Sequence, residues 1–397
     1  MRPIWRGMPK NIVSKIYVTT SIICFNVFLL LFAINMIFSG FNDVGEYLRK
    51  RRIPPGSSYS LKADNPALEK VYPGLNQSQR SELIRESRAV GEGYAPFVQF
   101  KELPFHGKFV NVDPRGFRLI DGKDRWPIDK NHFNIFVLGG STAFGYGVAD
   151  NQTIAGWLGK ILRDAGNEDT VVYNFGRCSY TSVQEGVLLQ RLIFHGNIPD
   201  LVIFIDGLND FAHYDGLPGF TSVLTKFMDE GDKPVWRKIL LELPVTKFFL
   251  KSFKSDSQQK KTAPEKVIPA VISRYKTNKD IIEAISKKFQ IMTLFVWQPV
   301  PVYKYDQRNN LFNRFDYDGF MPYLKLGYES IVKNYEAGEL GNNFIWLADM
   351  QENLKQPLYV DAVHYSAEMN EMIAQQISNA LSQKGILSRR NKSRNSS

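Results

Sequence analysis

A serine, a glycine, an asparagine, an aspartate and a histidine stand far apart in this chain, at Ser141, Gly176, Asn209, Asp361 and His364. Brought together, residues of these types perform acyl transfer through a covalent serine ester. A serine hydroxyl is a weak nucleophile until a base takes its proton. His364 is the candidate base, because an imidazole titrates near neutral pH. Asp361 lies three residues earlier. Across a turn, that spacing brings a carboxylate within reach of the imidazole N–H, which fixes the tautomer and stabilises the imidazolium. The tetrahedral oxyanion needs donors, and the candidates are the backbone N–H groups of Ser141 and Gly176 and the side-chain amide of Asn209. Each residue alone has a plainer reading. Asp361 and His364 could be a helix cap and a surface histidine, and Asn209-Asp210 a turn pair.

Their placement decides against the plainer readings. Phe133–Leu138 is almost wholly apolar and reads as a strand buried on both faces. Gly139 and Gly140 follow, then Ser141. Farther on, Ile154, Trp157, Leu158, Ile161 and Leu162 recur at helical spacing. A second strand, Val171–Asn174, is followed by Gly176 and by a helix that opens with a Ser182-x-x-Glu185 capping-box pattern. A third, Leu201–Asp206, runs into Gly207-Leu208-Asn209-Asp210. A fourth, Met292–Trp297, precedes Gln298-Pro299. A fifth, Phe344–Leu347, comes before Asp361 and His364, and a last helix starts near Ser366. Short apolar strands alternating with amphipathic helices imply an α/β fold, a parallel sheet covered on both sides. The carboxyl ends of such strands form one crevice, so all five residues converge there.

Four separated blocks carry a resemblance to the SGNH/GDSL hydrolase superfamily: Gly139-Gly140-Ser141-Thr142, Asn174-Phe175-Gly176, Gly207-Leu208-Asn209-Asp210 and Asp361-Ala362-Val363-His364. They occur in the family's order, and the third and fourth match its GxND and DxxH patterns in full. The resemblance implies a flavodoxin-like three-layer α/β/α domain, a Ser141–Asp361–His364 triad, and an oxyanion hole of Ser141, Gly176 and Asn209. It implies small ester substrates, often O-acetyl groups on envelope polysaccharide, with no cofactor and no metal. One departure is Gly140, where many members carry Asp; variants with Gly there look like membrane-anchored, envelope-facing members. Two other readings remain open, an O-acyltransferase that passes the acyl group to a sugar hydroxyl and a non-catalytic carbohydrate-binding protein. An intact Ser–Asp–His set argues against the latter. An ordinary α/β-hydrolase elbow, G-x-S-x-G, is disfavoured by Ala143. The five histidines are scattered without ligand spacing, which disfavours a metal hydrolase. His213 and Asp215 read as rim residues, Arg177 as a solvated arginine or else a contact for an anionic substrate, and Cys178 as a buried or rim thiol.

The remaining sequence says where such a domain would sit. The net charge is +10 over 397 residues, and the apolar fraction, 44%, suffices for a large core. Much of the basic excess lies at the termini and in one linker, which argues against a nucleic-acid groove. Two cysteines, Cys24 and Cys178, give no disulfide framework. Ile16–Phe38 is uncharged and long enough to span a bilayer. The expected organisation is therefore a tail at 1–15, an anchor at 16–39, a juxtamembrane linker and lead-in at 40–95, a hydrolase-like domain at 96–385 with an insertion near 215–265, and a basic tail at 386–397. Lys/Arg counts on the two sides of the apolar run are tied, so charge does not set the orientation. The exported members of the resembled family set the expectation that residues 53–397 lie outside the cytoplasm. A reporter fused after Ser397 should then be active only on the outer side of the membrane; activity confined to the cytoplasm would reverse the topology.

Overall fold

The computed structural model describes residues 10–51, 59–121, 125–222 and 262–387, with isolated positions between 224 and 246. The chain divides into two units, Met1–Ile53 with Leu224–Lys261, and Pro54–Val223 with Thr262–Ser397. In the first, helix α1 (Lys10–Arg51) carries an apolar window, Ser14–Ser39, of 26 residues with mean hydropathy 2.4 and no buried surface. The helix thus continues to Arg51, through the start of the expected linker. Its one amide in the window's second half, Asn35, donates to the Leu31 carbonyl at 2.8 Å. This contact satisfies the amide within the helix itself. Most of the expected insertion, and the basic tail beyond residue 387, lie outside the described residues.

The second unit holds the sheet. Helix α2 (Gln77–Ala89) starts at a reciprocal capping box between Asn76 and Gln79. Two short antiparallel ribbons follow, β1 (Glu92–Ala95) with β2 (Gln99–Glu102), and β3 (Phe105–His106) with β4 (Asn111–Val112). The main sheet is built from β5 (Phe133–Gly139), β6 (Thr170–Asn174), β7 (Leu201–Asp206), β8 (Met292–Trp297) and β9 (Phe344–Trp346). All its pairings are parallel, in the order β6-β5-β7-β8-β9. Numbered along the chain, that is the 2-1-3-4-5 order of flavodoxin-like folds, with the reversal between β5 and β7. Every residue of β5 and β7 is buried, because helices cover both faces. Helix α4 (Ile154–Asp164) and the last helix pack together on one side. Helices α5 (Ser182–Phe194), α6 (Pro264–Lys288) and α7 (Leu324–Glu336) cover the other.

Two local details differ from the sequence reading. The helix on the Ser141 loop is a single turn, α3 (Ser141–Phe144), ended by Gly145 at φ 83°; the amphipathic α4 starts only at Ile154, capped by Thr153. The cap of α5 is Thr181 with Gln184, one residue earlier than the sequence pattern suggests. Ser182 and Glu185 are instead turned into the protein, for a reason given below.

What holds the α3 loop is Arg118, from the lead-in segment. Its side chain is fully buried. Nε donates to Asp150 Oδ1 at 2.9 Å, Nη1 to the Phe144 carbonyl at 3.1 Å and Nη2 to the Val148 carbonyl at 2.6 Å. One guanidinium therefore ties down the carbonyls where α3 ends and neutralises a buried carboxylate. Replacing it with an apolar side chain removes all three bonds at once and leaves the buried Asp150 carboxylate without its counter-charge. Arg118→Met is expected to cost about 3–5 kcal/mol in urea unfolding. Arg118→Met with Asp150→Asn should cost less than the sum of the single changes, because the second removes the stranded charge.

Candidate active site

Ser141, Asp361 and His364 meet at the carboxyl edge of the sheet. Asp361 and His364 lie on a tight turn in which Val360 N–H donates to the His364 carbonyl at 2.9 Å. Both are buried, at 5% exposure. The Asp361 carboxylate is used on both oxygens. Oδ1 accepts the N–H groups of Val363 at 2.9 Å and His364 at 2.8 Å, and Oδ2 lies 2.7 Å from His364 Nδ1. The other ring nitrogen, Nε2, is 2.7 Å from Ser141 Oγ. A carboxylate on Nδ1 selects the tautomer with its proton there, leaving Nε2 as acceptor for the serine proton.

Side chains from neighbouring strand ends knit this edge together. Thr142 Oγ1 donates to Gln298 Oε1 at 2.6 Å, and the Tyr365 hydroxyl sits 3.0 Å from the same oxygen and 2.6 Å from the Pro299 carbonyl. The loops after β5 and β8 and the Asp361–His364 turn thus share one buried network. Two tyrosine rings flank the imidazole, Tyr146 at 4.8 Å between centroids and Tyr59 edge-on at 6.3 Å. Burial pushes the Tyr146 phenol up to about 12, so the ring beside the imidazole is neutral at physiological pH. Tyr59 also accepts the Ala362 N–H on its carbonyl at 2.8 Å.

Asn209 is lifted into this edge by Gly207, whose φ of 119° belongs to glycine and whose missing Cβ would meet Trp297 and Tyr328. The Asn209 Nδ2 donates to the Tyr180 carbonyl at 2.7 Å. That bond uses one amide hydrogen and orients the other. A Cβ on Gly140 would fall on Asn209 Nδ2, so glycine at 140 is what lets the amide approach the Ser141 loop. Gly176 also serves close approach: a Cβ there would run into the backbone of Ala143 and Phe144. Its N–H donates to Asn174 Oδ1 at 3.0 Å, so this sequence-expected donor already has a partner. Asn174 Nδ2 in turn bonds the Ala143 carbonyl at 3.0 Å.

The outlying candidates fall as follows. His213 is half-buried, and burial lowers its pKa; Asp215 is exposed. Burial pushes the Cys178 thiol well up, away from the reactive thiolate. Arg177 is not solvated, as its sequence context suggests, but only 3% exposed. Sequence reasoning had no signal for Tyr59, whose neighbours read as linker. Tyr146, five residues past the serine, was legible only as loop.

Behind the Asn209 loop lies a cluster of buried acids that explains Ser182 and Glu185. Ser182 Oγ donates to Asp210 Oδ1 at 2.7 Å, and Tyr275 OH donates to Asp206 Oδ2 at 3.1 Å. Glu185 Oε2 and Asp206 Oδ1 are buried without a hydrogen-bond partner among the described residues. Burial, reinforced by neighbouring carboxylates, pushes Glu185 well up and Asp206 to about 8. The pair therefore keeps a proton at neutral pH.

No protein-family model matches this chain, and no curated protein matches it. Solved structures do align with it. A lipase from a goat rumen metagenome is 12% identical, with 62% of this chain and 97% of that one covered and a TM-score of 0.39. A carbohydrate acetylesterase from Sinorhizobium meliloti is 12% identical, with 63% and 98% covered and a TM-score of 0.37. A psychrotrophic esterase from Pseudoalteromonas sp. is 15% identical, with 63% and 97% covered and a TM-score of 0.33. Likenesses this distant leave the chemistry to be argued from the chain's own residues. Those residues sit on a 2-1-3-4-5 parallel sheet, with a serine after its first strand, GxND after its third, and DxxH before the final helix, α8 (Ala367–Gln383).

The acid pair gives a pH prediction. Unfolded, Asp206 loses its proton in the ordinary carboxylate range; folded, it holds it to about 8. Between those limits the native state binds more protons, so this group's contribution makes stability fall as pH rises. Asp206→Asn removes that loss. Its stability relative to wild type, from denaturant unfolding, should improve steadily between about pH 5 and pH 8. A difference that does not change with pH would mean that the pair ionises alike in both states.

Proposed function

We propose that this chain is a serine ester hydrolase in which Ser141 is the nucleophile, His364 the general base and acid, and Asp361 the residue that orients and charges-balances His364. The carrying observation is the unbroken chain of contacts from Asp361 through His364 to Ser141, 2.7 Å at each step. Ser141 Oγ attacks the ester carbonyl while Nε2 takes its proton. The tetrahedral intermediate collapses, and Nε2 gives that proton to the departing alcohol. Water, deprotonated by the same nitrogen, then releases the acid and restores the serine. For the oxyanion we assign the Ser141 N–H and the second Asn209 amide hydrogen. Gly176, whose N–H already serves Asn174, is given the role of letting the α3 backbone come close.

The proposal extends to location and substrate. The 26-residue apolar, unburied window of α1 supports a membrane anchor. Short acyl esters, O-acetyl groups on a saccharide among them, are the substrates implied by the superfamily resemblance.

The test is release of p-nitrophenol from p-nitrophenyl acetate by the full-length protein in detergent, normalised to folded protein by circular dichroism. Ser141→Ala and His364→Ala should each lose several orders of magnitude, without adding when combined. Asn209→Ala should lower kcat about a hundredfold or more with little change in KM, the size of one oxyanion donor. Asp361→Asn should be comparable or milder. Turnover that survives His364→Ala would sink the triad.

A further inference from the structure

On the outer side of the edge strand β6, between the β1–β2 ribbon and α5, lies a cavity of about 420 Å³, within the size range of small-molecule sites. None of the triad lines it. Its polar lining includes Lys101, Arg115, Arg177 and Arg191 together with His195 and Asn197, and among the described residues no carboxylate lines it. Its other wall includes the rings of Tyr94 and Trp126, the former 73% exposed.

Neighbouring carboxylates balance these charges only in part: Asp113 pairs with Arg115, and Glu102 interacts with Arg177. Arg177 is 3% exposed, and its Nε and Nη1 have no hydrogen-bond partner. Leaving a buried guanidinium so under-bonded is costly unless something else supplies acceptors. Among the described residues, Lys101 and Arg191 bond only carbonyls, those of Pro114 and Pro96, each at 2.8 Å. Arg115 alone is paired, with Asp113. Behind Arg177 stands Glu102, whose own pKa is raised by burial, and its Oε1 is taken by Cys178 N–H at 2.7 Å. The cations also crowd one another. A Cβ on Gly116, at φ 90°, would lie 2.9 Å from Lys101 Cδ and 3.4 Å from Arg177 Nη2. Burial, and then the charges of Arg177 and Arg191, lower the pKa of Lys101. A cluster of positive groups that repel each other, with an under-bonded guanidinium among them, is suited to an anionic ligand.

We propose that this cavity is a binding site for a small ligand that carries an oxyanion and a flat ring face, with Arg177, Lys101 and Arg191 holding the oxyanion and Tyr94 and Trp126 the ring. An acidic sugar meets that description, its anion being a carboxylate or a phosphate ester. The site is independent of the Ser141 chemistry, although Phe175 and Arg177 flank Gly176 and Arg177 N–H bonds the Gly139 carbonyl at 2.9 Å.

The test is calorimetric titration of the full-length protein in detergent at low ionic strength with glucuronate, glucose 6-phosphate and glucose. At least one of the two acidic sugars should bind, and which one identifies the oxyanion; glucose should bind at least tenfold more weakly. Arg191→Gln and Lys101→Gln should each weaken binding about tenfold, and added salt should weaken it further. Arg177→Gln should abolish it, read only on protein whose circular dichroism is unchanged. Turnover of p-nitrophenyl acetate should be the same in Arg191→Gln as in wild type. The proposal is overturned if neither acidic sugar binds, if glucose binds as well as they do, or if both Arg191→Gln and Lys101→Gln bind like wild type. Each of these results leaves the Ser141 reading untouched.

Discussion

A carboxylate withdrawn from water must have its lone pairs answered, and the candidate site depends on how Asp361 meets that demand. Two backbone N–H groups of its own turn occupy Oδ1, and His364 occupies Oδ2. The first two contacts fix the turn; the third fixes the imidazole on the turn. Because Asp361 and His364 are only three residues apart, folding the turn and orienting the ring are one event. The Ser141 loop then has to be brought to Nε2 from the far end of a different strand. Arg118 clamps that loop from below, and the Thr142–Gln298–Tyr365 network joins it to the turn. Each piece of the edge is held by a group that is itself buried and paired, the general condition for a site to keep its geometry between turnovers.

The main sheet was legible because parallel strands buried on both faces leave an unambiguous trace of near-continuous apolar residues. Leu201–Asp206 and Met292–Trp297 have the expected bounds, and the strands begin or end within a residue of expectation elsewhere. The site residues were legible for the same reason, since in such a sheet the position just past a strand is already a position in the crevice. What could not be read was anything set by tertiary approach. Gly140 looked like a departure from a pattern, yet its bare Cα makes room for Asn209. Gly176 looked like an oxyanion donor, yet its N–H turns to Asn174. Glu185 fitted a helix cap by spacing alone; the capping went to Gln184 because Glu185 faces Asp206 across the sheet–helix interface. Local rules place a side chain on a helix turn but not against the next layer.

The two unusual charge clusters of the domain are opposites. The Glu185–Asp206–Asp210 group is sealed, and it relieves its repulsion by retaining a proton and by accepting from Ser182 and Tyr275. The Arg177 cluster has no such outlet, since a guanidinium does not give up its proton in a protein. An acid cluster can be reconciled by keeping protons; arginines keep their charge, and only a nearby anion offsets it.

The segment that follows the apolar helix has a consequence for what counts as the working unit of this chain. Tyr59 belongs, by composition, to a basic and proline-containing spacer. It nevertheless closes one side of the imidazole with its ring, meets Phe315 and Phe320 edge-on, and receives the Ala362 N–H on its carbonyl. A protease that severs the chain just after Tyr59 would free a body with Ser141, Asp361 and His364 and an intact sheet, but with one wall of its imidazole open to water. Shedding before Tyr59 and shedding after it are therefore different events. The first releases a complete domain; the second releases one whose turn at Ala362 has lost a backbone partner.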